Sequence, residues 1–157
     1  MKTNRLFPLC SLCMLFLSGL ASCEHADTTP PVIILASPLN DAIVEAGGEL
    51  CIQVTFTDDV ALSAYKINIH SNFNGHSHSP ARQINKPSYD VQASQTTDFV
   101  ITLTSASQND PLTGRNCFRD IDIDIPDDAT PGNYHLLVYC TDAAGNEAYI
   151  AQDLKIQ

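Results

Sequence analysis

Histidine is scarce in this 157-residue chain, yet three of its five histidines fall within NIHSNFNGHSHSP, residues 68–80. Neutral imidazole is a good ligand for Zn²⁺ or Cu²⁺, and it predominates above an ordinary pKa of about 6.5. Metal–nitrogen bonds of about 2.0–2.1 Å require ligand atoms within a few ångströms of one another. His70, His76 and His78 therefore form a site only if the chain folds His76 and His78 back over His70. Gly75 supplies backbone freedom for that return. His135, 57 positions beyond His78, is the fourth candidate. The competing reading is a polar surface turn with His135 merely facing solvent. His25 stands apart near the N-terminus, in the expected tether.

Other chemistry-bearing residues form weaker patterns. Asp120, Asp122 and Asp124 alternate, with Asp127 and Asp128 following. Calcium needs six to eight oxygens around one point, whereas same-face side chains on a strand stand about 7 Å apart. A solvated acidic face is the expectation. Asp58, Asp59 and Asp142 read as turn residues that bond backbone groups. Ser71, Ser77 and Ser79 neighbour histidines, but no carboxylate is placed to orient a catalytic base. A zinc hydrolase would need an open position with an acid beside it. No enzymatic activity is expected. The formal charge of −10 and the absence of a basic stripe exclude nucleic acid as a partner class.

At the N-terminus, Lys2 and Arg5 precede an apolar run, Leu6 to Leu17, too short to span a bilayer comfortably. It leads to LASC, Leu20 to Cys23, which resembles the lipobox of bacterial lipoproteins. That resemblance implies cleavage before Cys23 and lipidation there, with residues 1–22 as signal peptide and 23–30 as a lipidated tether. Loss of Lys2 and Arg5 would take the formal charge from −10 to −12. CEHAD, from Cys23 to Asp27, resembles the surface-export signals of Bacteroides-type lipoproteins. It implies an outer-membrane lipoprotein exposed at the cell surface, held to the membrane by its lipid.

Residues 31–157 are enough for one domain with one core. Alternation dominates there, not helical periodicity. ELCIQVTFT sets Leu50, Ile52, Val54 and Phe56 against Cys51, Gln53 and Thr55. YKINIH sets Tyr65, Ile67 and Ile69 against Lys66, Asn68 and His70. Val32–Ala36 reads as an edge strand after two prolines. DFVITLT (98–104), DIDIDIP (120–126), YHLLVYC (134–140) and EAYIAQDLKI (147–156) complete about seven strands separated by Gly, Pro, Asn and Asp turns. The expected fold is an all-β sandwich.

PGNYHLLVYCTDAAGNEA joins a Pro-Gly turn, a strand-opening Tyr134 placed like a tyrosine corner, and a TDAAGN hairpin turn. The combination resembles bacterial immunoglobulin-like and cadherin-like modules. With LASC and DDVALSAYKINIHSNFNGHSHS it resembles a family of Bacteroides-type Ig-like lipoproteins of unassigned function. Immunoglobulin order places the third, sixth and seventh strands (C, F and G) side by side, with C antiparallel to F. The end of C then lies beside the start of F, and His70 becomes the cross-strand neighbour of His135 on the outward face. His76 and His78 leave from the same place, so four imidazoles converge.

The same order places the cysteines. Cys51 near the start of strand B and Cys140 near the end of F fall towards opposite poles, whereas Cys117 at the start of E shares the pole of Cys140. A Cys117–Cys140 disulfide with Cys51 free is the expectation. Functionally, the sequence points to a lipid-anchored envelope domain that binds Zn²⁺ or Cu²⁺ through His70, His76, His78 and His135. Metal capture or handover is the expected role. The alternative is a structural or adhesion module whose partner is another envelope protein, with the His loop as contact surface. Leu137, Tyr139 and Tyr149 share the outward face with His135 and would either underlie the loop or meet such a partner.

Overall fold

The structure, a computed structural model, describes residues 26–78 and 100–157. Residues 1–25, with the expected signal segment, Cys23 and His25, lie outside the described residues, as do Ser79 and Phe99. Among the described residues no helix is long and apolar enough to cross a membrane.

Eight strands build the domain: β1 (Val32–Ser37), β2 (Ala42–Val44), β3 (Glu49–Thr57), β4 (Leu62–Ser71), β5 (Val100–Thr104), β6 (Asn116–Asp124), β7 (Gly132–Asp142) and β8 (Glu147–Ile156). They form a three-stranded sheet, β1-β3-β6, and a five-stranded sheet, β2-β8-β7-β4-β5. This is the all-β sandwich that the alternation predicts. The inward phase of β3, β4 and β7 matches the expected residues. Leu50, Ile52, Val54, Phe56, Tyr65, Ile67, Ile69, Tyr134, Leu136, Val138 and Cys140 are all buried. Face-to-face burial of these two apolar surfaces is what holds the sheets together. Phe56 and Tyr65 stack across the two layers at 5.7 Å.

One strand escapes the alternation. β2 is three residues long and pairs with β8 in parallel, Ala42 opposite Leu154 and Val44 opposite Ile156. Three residues cannot display a period, and the strand exists because β8 offers a free edge. Asp41 N–H donates to Asp153 O, and Gln157 N–H donates to Val44 O.

The corner and turn residues act as their types suggest. Tyr134 donates its hydroxyl to Thr130 O at 2.7 Å, completing a tyrosine corner. Asp142, buried at the end of β7, accepts from Asn146 N and Asn146 Nδ2 and so closes the β7–β8 hairpin. Asp58 Oδ1 accepts from Val60 N and Ala61 N, which fixes the β3–β4 turn.

The cysteines match expectation only in part. Cys117 packs against the core opposite Phe56, and Cys140 lies opposite Tyr65, so both belong to the stacked Phe56–Tyr65 end of the sandwich. Yet the expected Cys117–Cys140 disulfide is not formed; Cys51, Cys117 and Cys140 are all free thiols. Cys117 Sγ turns to donate to Thr113 O at 3.0 Å. Burial first, then the charges of Asp58 and Asp142, push the Cys140 thiol up to about 12. Disulfide exchange requires a thiolate, which this environment suppresses.

Candidate metal centre

The β4–β7 ladder sets the site. Antiparallel pairing runs from Leu62 opposite Asp142 to Ser71 opposite Tyr134, and it places His70 directly opposite His135. Both point to the outer face, because Ile69 and Tyr134 occupy the core. The ladder continues past β4, where Asn72 N–H donates to Asn133 O at 2.7 Å.

The chain then doubles back. Gly75 N–H donates to Asn72 O, and Gly75 holds φ at +71°, a conformation that costs a side chain-bearing residue strain. Phe73 lies over Gly132, where an added Cβ would stand 2.5 Å from Phe73 Cε1. It also meets Tyr134 edge-on at 5.4 Å. Missing a side chain at Gly132 is thus what lets the loop dock on the start of β7.

The return brings His76 and His78 to His70. His70 Nε2 stands 3.2 Å from His76 Nε2 and 3.1 Å from His78 Nε2. Ligand nitrogens of these three residues all lie within 4.8 Å of one another. A tetrahedral ion with bonds of about 2.0–2.1 Å separates its ligand atoms by about 3.3 Å, so the observed spacing is that of a coordination edge.

Two asparagines set the protons. Asn68 Nδ2 donates to Thr102 Oγ1 at 2.9 Å and to Ile101 O at 3.3 Å, which leaves Asn68 Oδ1 to accept from His70 Nδ1 at 2.6 Å. Asn74 Oδ1 accepts from His76 N and from His76 Nδ1, the latter at 2.5 Å. With both Nδ1 atoms protonated, the Nε2 atoms of neutral His70 and His76 carry lone pairs that face each other. Such an arrangement repels unless a cation sits between the nitrogens. Outer partners that fix ring orientation in this way are characteristic of metal-ligating histidine.

The electrostatics favour the neutral ligand form. Burial, reinforced by the neighbouring His78, His135 and His76, pushes His70 down to about 4. Burial also lowers His76 and His78, with His135 adding to each.

His135 joins the cluster differently. Its ring centroid lies 5.6, 4.9 and 4.7 Å from those of His70, His76 and His78. Its nitrogens, however, face oxygens: Nδ1 is 3.0 Å from Asp153 Oδ1, and Nε2 is 3.0 Å from His76 O. The structure therefore brings His70, His76 and His78 together at their nitrogens and has His135 brace the loop that carries two of them. Asp153 owes its place to the β7–β8 register, which sets it opposite His135.

Asn68, Asn74 and Asp153 were not legible as site residues from pattern alone. A signal does exist for two of them. Asn precedes His by two positions in both NIH (68–70) and NGH (74–76), a spacing that lets an amide reach Nδ1. Asp153 carries no comparable mark, since only sheet register brings it near His135.

The acidic ladder remains on the outer face of the smaller sheet, with Asp120, Asp122 and Asp124 opposite Gln53, Cys51 and Glu49. Cys51 donates to Asp120 Oδ1 at 3.2 Å, and that bond first, then desolvation, then Asp122, holds the thiol up at about 12. On the larger sheet, Leu137 is buried, Tyr139 lies 5.5 Å from Tyr149, and Lys66 Nζ sits 3.8 Å over the Tyr139 ring.

Two solved structures align with parts of this chain at low similarity. A Niemann-Pick type C2 protein from Japanese carpenter ant aligns over 80% of this chain and 89% of its own, with TM-score 0.48 and 8% identity. A chitin binding domain from Burkholderia pseudomallei aligns over 74% of this chain and 57% of its own, with TM-score 0.39 and 15% identity. Comparison with curated proteins finds no match. Residues 21–157, the whole sandwich included, match one family along their length, and the chain belongs to it: DUF4625, a domain of unknown function.

Proposed function

We propose that this domain binds a transition metal ion, Zn²⁺ or Cu²⁺, through the Nε2 atoms of His70, His76 and His78. The observation that carries this reading is the facing of the His70 and His76 Nε2 lone pairs at 3.2 Å, with each Nδ1 tied to an asparagine oxygen. Nitrogen-only donors of this kind suit Zn²⁺ and Cu²⁺ better than Ca²⁺ or Mg²⁺, which take oxygen. His135 and Asp153 act as the support that holds the His76–His78 segment over His70. The role is metal capture or handover at the cell envelope by a lipoprotein anchored through Cys23, without catalysis. A tag-free chain from Glu24 to Gln157 should bind one equivalent of Zn²⁺ or Cu²⁺, read by calorimetry and elemental analysis. A chain that binds neither ion removes the proposal.

A second reading draws on a separate feature. Ile34, Thr55 and Phe118 stand in one cross-strand row on the outer face of the smaller sheet, and Val32, Ile34 and Phe118 are each more than half exposed. An interaction module within a surface complex would present such a row. A partner that binds this face equally well in metal-free and metal-loaded protein would favour that reading.

A further inference from the structure

Asn74 is followed by glycine, and both residues are exposed in the turn that leads to His76. Asn74 Oδ1 meets the His76 backbone N–H at 3.3 Å and His76 Nδ1 at 2.5 Å. A backbone N–H only donates, so the atom it meets is the amide oxygen, and Nδ1 carries the second proton. Two donors from one residue thus converge on the side-chain carbonyl of Asn74. To reach the N–H two residues on, that side chain curls over the intervening peptide nitrogen of Gly75. Gly75 has no side chain to shield this nitrogen, and a Cβ added there would find nothing within 4 Å. Its restraint is the N–H bond to Asn72 O, 3.2 Å long.

Donors aimed where negative charge develops lower the barrier to a tetrahedral intermediate. We propose that Asn74 and Gly75 form a self-modifying site, in which Gly75 N displaces the side-chain amide of Asn74 while His76 stabilises the oxyanion. Hydroxide takes the Gly75 N–H proton, and the nitrogen bonds Asn74 Cγ as the carbonyl π pair moves onto Oδ1. When that pair returns, the Cγ–Nδ2 bond breaks, and Nδ2 takes a proton from water and leaves as ammonia. Water then opens the five-membered imide at either carbonyl. One product is aspartate at position 74, with a carboxylate against His76 Nδ1. The other is isoaspartate, with one more main-chain carbon before His76. Both change what stands against Nδ1 of a proposed ligand, and outer partners of that kind tune metal affinity. The self-modification goes beyond the metal reading and does not rest on it.

The tag-free chain from Glu24 to Gln157, treated with chelator, is held in neutral buffer either native or unfolded in guanidinium. Mass spectrometry of the peptide that contains residue 74 follows the change of side-chain amide to acid, and chromatography separates the aspartate and isoaspartate forms. The unfolded chain gives the rate that the Asn-Gly sequence has by itself. The native protein should react about tenfold faster at Asn74, the worth of one hydrogen bond to a charged oxygen. His76→Ala, which keeps the backbone N–H but loses Nδ1, should bring the native rate close to the unfolded one. If that variant fails to fold, the comparison of native and unfolded wild type decides alone. A native rate equal to or below the unfolded rate would overturn the proposal, and an undiminished rate in folded His76→Ala would overturn the part given to His76. Metal is absent throughout, so either failure leaves the metal reading as it stands.

Discussion

His70 and His135 stand directly opposite each other across β4 and β7, their ring centroids 5.6 Å apart. Their nitrogens do different work. His70 turns Nε2 towards His76 and His78, whereas His135 turns both nitrogens to oxygens, Asp153 Oδ1 and His76 O. On the proposed reading His70 ligates the ion, and His135 holds the loop that closes over it.

Removal of the brace should therefore weaken the site without deleting a ligand. His135→Ala and Asp153→Asn should each lower metal affinity by roughly 10–100-fold, the usual effect of losing an outer-shell partner. The stoichiometry should stay at one. His25→Ala, in the expected tether, should leave affinity unchanged. Calorimetric titration of the three variants checks this, and an unaltered affinity in His135→Ala would remove the bracing role.

Acid should destabilise the metal-free protein through the same histidines. His70 is held at about 4 in the fold against an ordinary 6.5. The unfolded chain therefore takes up a proton that the folded chain refuses, and stability rises with pH across this window. The contribution is fully present above about 6.5 and is lost as pH falls towards 4. His76 and His78 shift in the same direction. Denaturation of chelator-treated protein between these limits should show a steeper loss of stability in the wild type than in His70→Gln.

Much of this fold was legible in the alternation. Leu50, Ile52, Val54 and Phe56 could bury themselves together only as a strand, and immunoglobulin order was enough to set His70 beside His135. Register was legible because a one-residue slip would have turned Ile69 and Tyr134 out of the core. β2 was not, since three residues show no period and its edge position depends on β8. The direction of the His135 nitrogens was not legible either. Proximity of strands fixes where a ring lies, but Asp153 and the His76 carbonyl fix where its nitrogens point. The disulfide expectation failed on the same kind of detail. Topology put Cys117 and Cys140 at one pole, while Cys117 Sγ turns to Thr113 O and both remain thiols.

Cys51 should alkylate slowly for a partly exposed thiol. Its hydrogen bond to Asp120, with Asp122 beside it, keeps the sulfur protonated, and only the thiolate reacts. Asp120→Asn should speed modification by iodoacetamide several-fold at pH 8, followed by mass spectrometry of the Cys51 peptide. An unchanged rate would show that the carboxylate does not control this thiol.

Tyr134→Phe removes the hydroxyl bond to Thr130 O and leaves the aromatic packing in place. The loss should be about 1 kcal/mol, visible as a fall of a few degrees in melting temperature. Metal affinity should change little, because the ring still meets Phe73. A large loss of metal affinity would mean that the corner, and not only the ring, positions the His loop.

The proposed metal site is one ion held by the nitrogens of His70, His76 and His78. Electron paramagnetic resonance of the tag-free chain loaded with one equivalent of Cu²⁺ tests it most directly. Coordination by at least three imidazole nitrogens is expected, with one lost in each of His70→Ala, His76→Ala and His78→Ala. A spectrum equal to that of copper in buffer alone, or one unaltered by all three substitutions, would contradict it.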